Sequence, residues 1–126
     1  MDKRTRVLNA MNKKEVDHVP VGFWFHFAGE EASGQGCINA HLKYYRETDL
    51  DFVKIMCDGY FPYPLPEIKT AADWKSLKPL TSDHPFIREQ VERAKAIVED
   101  IGKERCVFYN VFAPFSSLRF GAEAVG

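Results

Sequence analysis

Two hydrophobic periodicities alternate along this chain, and their alternation narrows the possible architectures more than any single motif does. Ile87, Val91, Ala94, Val98 and Ile101 recur at four-three-four-three spacing, the stripe of an amphipathic helix, and Gly102 supplies a C-terminal stop. Pro85 suits the first turn and residues 81–83 can open it, so a long helix is predicted over 84–101. An apolar run at 106–112 follows, ends at Ala113-Pro114, and reads as a strand. Upstream, Ile38, Leu42 and Tyr45 mark a helix over 38–46, and 52–56 reads as a strand that stops at Asp58-Gly59. Residues 21–27 read as a further strand, because the residue before Pro20 is driven toward extended geometry and the chain beyond it is apolar. At the N-terminus, Asp2 can cap a helix with Val7, Leu8 and Met11 on one face. Thr70 offers a second, weaker helix start, and Ser116 or Ser117 can cap a last helix. Helices and strands that take turns imply crossover connections and parallel pairing. The expectation is an α/β fold in one domain spanning residues 1–126, with three parallel strands near Val21, Val53 and Val107.

Composition removes several classes of function. Seventeen basic against eighteen acidic side chains leave a net charge of −1, so no electrostatic footprint for nucleic acid or an anionic membrane is present. The longest apolar stretch is interrupted by Pro20, Gly22 and His26, well short of the ~20 residues that cross a bilayer. The start of the chain lacks the apolar core of a secretory signal, so a cytoplasmic location is expected. Cys37, Cys57 and Cys106 are odd in number and without framework spacing, which predicts free thiols, with Cys57 and Cys106 acting as small hydrophobes in apolar runs.

In parallel α/β folds, ligands meet the chain at the carboxyl ends of the strands. Three stretches hold that position: 26–31, 57–66 and 112–117. Asp58 leads them, because a carboxylate at the mouth of an apolar strand needs cationic or N–H partners; its other reading is a turn aspartate before Gly59. Strand alternation sets Phe52, Lys54, Met56 and Asp58 on one side, and Val53, Ile55 and Cys57 on the other. If the Asp58 side faces inward, Lys54 does too, and His26 and Asn110 are the polar groups available to join it in an internal network. The segment from Tyr60 through Pro62 to Pro66 cannot be a central strand or a helix interior, and is expected as an extended loop, a cofactor wall or packed surface. Cys37 and His41 lie one helical turn apart, but two ligands do not complete a zinc site.

The opening Arg4-Thr5-Arg6-Val7-Leu8-Asn9-Ala10-Met11, the loop and apolar run at 17–29, and Asp51-Phe52-Val53-Lys54-Ile55-Met56-Cys57-Asp58-Gly59 together resemble the N-terminal part of the uroporphyrinogen decarboxylase superfamily. That superfamily holds tetrapyrrole decarboxylases and corrinoid- and thiol-linked methyltransferases, all built as (β/α)8 barrels. The resemblance implies that the chain is the N-terminal portion of a TIM barrel, the first three βα units, since a complete barrel takes ~250 residues and this chain has 126. It implies a catalytic role for Asp58, which matches the aspartate that holds the pyrrole N–H groups in the decarboxylases. His26, Phe27, Lys54, Asn110 and Tyr60 are the expected substrate contacts. Where the decarboxylases carry Arg-Gln-Ala-Gly-Arg-Tyr, this chain has His26, Phe27, Ala28, Gly29 and Glu30, so a polyanionic substrate loses its bidentate partners. The methyltransferase-like or uncharacterised branch of the superfamily fits better.

The expected partner is therefore a small molecule, a tetrapyrrole or a methyl donor, with the isolated chain inactive. No cofactor is expected within these residues; a corrinoid or zinc would belong to a complete methyltransferase-type enzyme, whose zinc ligands come from later strands. The competing expectation is a non-catalytic domain that binds a ligand or self-associates. Phe23, Trp24, Phe25, Phe27, Phe108, Tyr109 and Phe112 would give an incomplete barrel an apolar patch to bury, in a homo-oligomer or against a missing C-terminal part.

Overall fold

The computed structural model describes residues 1–60 and 63–125, with the side chains of Ala124 and Val125 left out. Helix α1 (Lys3–Met11) begins at Asp2, whose carboxylate accepts from the Thr5 N–H at 2.8 Å. A 3-10 turn (Gly29–Glu31) leads into α2 (Gly34–Glu47) and then β1 (Phe52–Ile55). A second 3-10 turn (Asp58–Tyr60) closes the strand, and α3 (Ala71–Ser76), α4 (Pro85–Ile101), β2 (Cys106–Tyr109) and α5 (Pro114–Val125) follow. The two strands pair in parallel, Phe52 opposite Cys106 and Ile55 opposite Tyr109.

One face of this small sheet carries the core. Val53 and Ile55 pack with Tyr45 of α2 and with Ile97 and Ile101 of α4, and all five are essentially buried. The opposite face holds Phe52 and Phe108, edge to face at 5.3 Å, and Lys54, whose ammonium sits 3.7 Å from the Trp24 ring. Helix α1 meets this face at its amino end, where Cys106 Sγ lies 3.9 Å from the Arg4 carbonyl. The long-helix prediction holds to the residue at its C-terminal end, but its cap is His84, whose Nδ1 accepts from the Phe86 N–H, in place of the residues at 81–83. Its stripe is also turned: Arg93, Ile97 and Ile101 are buried, while Val91 and Val98 are exposed. In α1, Arg6 and Val7 are buried, and Leu8 and Met11 face outward. Among the described residues no helix is long and apolar enough to cross a membrane.

The expected first strand is the main departure. Residues 21–27 are not in a strand; just ahead of β1, the Val21 carbonyl accepts from the Asp51 N–H and the Val21 N–H donates to the Asp51 carboxylate. The outer edge of β1 is already occupied. The Tyr45 hydroxyl accepts from the Lys54 N–H at 2.8 Å and lies 3.0 Å from the Lys54 carbonyl, and His41 Nε2 accepts from the Met56 N–H at 3.0 Å. Buried backbone groups must be paired, and here two side chains from α2 do the pairing that a third strand would have done. Gly22 meanwhile lies flat against Phe52, where a Cβ would stand 2.2 Å from the ring. The fold is thus mixed α/β, mostly helical, with a two-stranded parallel sheet in place of the expected three strands.

Candidate functional site

Gly59 builds the carboxyl end of β1. Its N–H donates to the Ala32 carbonyl at 2.8 Å, and a Cβ there would lie 2.4 Å from the same oxygen, so only glycine lets the strand-end turn press against the 28–33 loop. This contact brings Asp58 beneath the segment at 26–27. Asp58 Oδ1 lies 2.7 Å from His26 Nδ1, and Oδ2 accepts the Phe27 N–H at 3.0 Å. The Asp58 side chain is mostly covered, at 13% exposure, whereas the His26 side chain is 75% exposed.

The other expected contacts divide. Phe27 is buried, with its ring 4.7 Å from that of His41, so here it packs inward. Lys54 engages Trp24, and no bond joins it to His26 or Asn110. The internal network of lysine, histidine and asparagine is therefore not formed. Asn110 instead continues the sheet, its N–H donating to the Ile55 carbonyl, and its amide nitrogen lies 3.8 Å from Cys57 Sγ. Tyr60 is buried, its hydroxyl accepting from the Gly34 N–H. Tyr60, Asn110 and Cys57 do share a wall of a small cleft of about 160 Å³, closed by Gln90, Tyr109 and Phe112. Of the aromatic-proline loop, residues 61 and 62 lie outside the described residues. Its remainder, from Tyr63 to Pro66, walls an apolar cleft of about 760 Å³ against Trp74, Leu77 and Leu118.

Sequence reasoning missed Arg93. Its guanidinium is buried, stacked 4.4 Å from the Tyr60 ring, with Nη2 donating to the Tyr109 hydroxyl at 3.0 Å and Nη1 3.4 Å from Cys37 Sγ. The Tyr109 hydroxyl in turn donates a hydrogen bond to Gln90 Oε1 at 2.7 Å. The signal was the four-residue spacing of Arg93, Ile97 and Ile101, which places an arginine in the inner row of α4. Burial pushes the Tyr109 phenol and the Cys37 thiol up, in each case against the pull of Arg93. Burial pushes His41 down, and its geometry agrees with a neutral ring: Nε2 accepts from Met56, so the proton sits on Nδ1 and is donated to the Cys37 carbonyl at 2.7 Å. Cys37 and His41 thus serve the fold, and among the described residues no group of three His, Cys, Asp or Glu side chains is placed to hold a metal ion. The three cysteines are free thiols. No known protein family, curated protein or solved structure matches the chain.

Proposed function

We propose that the chain supplies a small-molecule site at the carboxyl ends of its parallel strands, as the first βα units of a barrel enzyme of the uroporphyrinogen decarboxylase superfamily, on the methyltransferase-like branch. The observation that carries this reading is the Asp58–His26 pair, held at the end of β1 with the imidazole open to solvent. The sheet face bearing Phe52, Phe108 and Lys54 is the one that would look into such a barrel. The ligand class is a tetrapyrrole or a methyl donor.

Trp24 lies beside Lys54 on the open face and reports on it. In a Trp74→Phe background, titration with uroporphyrin or methylcobalamin is expected to quench Trp24 emission with a Kd below about 1 mM, and Asp58→Ala is expected to weaken the tighter of the two. No saturable quenching by either compound would sink the reading.

A second reading, self-association of a non-catalytic domain, is favoured by the exposure of Phe23, Trp24 and Phe25, each more than half accessible. Sedimentation at micromolar concentration separates the two: a dimer that titration with ligand does not perturb supports association alone.

A further inference from the structure

The strand-end pair divides its labour in a way that the identity of its residues does not reveal. Both oxygens of Asp58 are engaged, Oδ1 with His26 Nδ1 and Oδ2 with the Phe27 N–H. Those two partners are a side chain and the next residue's backbone, so the carboxylate fixes the imidazole both in position and in rotation. A carboxylate only accepts. The hydrogen between Asp58 and His26 therefore belongs to Nδ1, and a neutral His26 carries its lone pair on Nε2. The His26 side chain is 75% exposed, and among the described residues Nε2 has no hydrogen-bond partner.

We infer that His26 Nε2 is the proton-accepting atom of this site and that Asp58 is its positioning residue. The assignment rests on the strand-end reading above and reverses the roles that the sequence implied for the two residues. The ligand it serves is a weak acid whose N–H or O–H reaches the open imidazole. In the step itself, Nε2 takes that proton and the electron pair of the broken bond stays on the ligand. His26 becomes imidazolium, and Asp58, unchanged as a carboxylate, holds the new positive charge across the 2.7 Å contact.

The test reads the position of the proton directly. Long-range proton–nitrogen correlation spectra of the 15N-labelled chain, taken at mildly alkaline pH where an ordinary imidazole is neutral, are expected to show His26 with Nδ1 protonated and Nε2 bare. His26→Gln identifies the signal. Acylation by diethylpyrocarbonate, which attacks an unprotonated ring nitrogen, supplies a second readout. Followed peptide by peptide, Asp58→Ala is expected to slow His26 about tenfold, the loss of one charge-assisted hydrogen bond, while exposed His18 keeps its rate. Buried His41 stays protected as long as the variant is folded. Should His41 become reactive, the wild-type spectrum alone decides. An Nε2-protonated His26 in the wild type, or an unchanged acylation rate in a folded Asp58→Ala chain, would overturn the assignment. Failure of the porphyrin and cobalamin titrations with the Nδ1–H form present would instead remove the superfamily reading and leave the proton acceptor standing.

Discussion

Asp51 and Asp58 bracket the same short strand, one before its first residue and one beyond its last, and they are held in opposite ways. Asp51 is buried among fixed donors: Arg6 of α1 reaches its Oδ1 at 2.5 Å, the Val21 N–H reaches Oδ2, and the same arginine also grips Asp17. Burial works to raise the Asp51 carboxyl, but Val21 and Arg6 outweigh it and hold it below the usual carboxylate range. Asp17 is held lower still, chiefly by its hydrogen bond from Arg6, which is itself pushed up by the same contact. Asp58 touches one backbone N–H and one ring that faces solvent. A carboxylate gripped by a buried arginine and a backbone N–H stabilises the fold, even with the exposed His18 ring 3.9 Å from it. One whose partner has a free face can meet a ligand, and this is the arrangement expected where the amino ends of strands carry stability and the carboxyl ends carry chemistry.

The largest test of this contrast is Asp51→Ala, which leaves Arg6 partly unpaired and frees the segment at Val21; a loss of about 3 kcal/mol in urea unfolding is expected. Next is Tyr45→Phe. It leaves the Lys54 N–H and carbonyl without their partner and should cost about 2 kcal/mol, since no third strand among the described residues replaces the hydroxyl. Acid sharpens the contrast further. The depressed carboxylates Asp17 and Asp51 contribute stability that is present above their unfolded pKa and is lost as pH falls through their folded values. His41, lowered by burial, acts in the same direction from a higher pH: the unfolded chain takes up its proton first, so stability declines as pH drops below about 6.5. Melting temperature should therefore fall in two stages, the upper one absent in His41→Gln if that variant folds. Asp58→Ala is expected to be the mildest, under about 1 kcal/mol, with its effect read at His26. A loss from Asp58→Ala as large as that from Asp51→Ala would erase the distinction between the two ends.

The elements legible in the sequence were those fixed by local period. The strands β1 and β2 and the helices α2 and α4 announce themselves through spacing, and Pro85 and Gly102 mark the ends of the longest helix. Residues 21–27 were apolar enough for a strand, yet strand formation depends on a free neighbouring edge, and Tyr45 and His41 occupy that edge from another element. No local pattern records such a competition. The same holds within the site. Asp58 and His26 stood out by type and position, and the structure brings them together. Phe27 and Tyr60 had the chemistry of ligand contacts, but Phe27 turns inward against His41 and Tyr60 under Arg93. Arg93 went unread because a charged residue in an apolar stripe is assigned to solvent unless an aromatic partner, distant in sequence, is known to be waiting for it.

The side chains that seal the edge of β1 also order the events of folding. Tyr45 and Lys54 are 9 positions apart, whereas the pairing of Phe52 with Cys106 closes a loop about six times longer. Loop-closure entropy favours the shorter connection by ~1.5 kcal/mol, so docking of α2 on β1 is expected before β2 arrives. By the time the long crossover through α4 brings β2 alongside, only one edge of β1 remains for it to join. The outer edge of β1, sealed by residues close to it in sequence, is thereby closed to the strands of other chains.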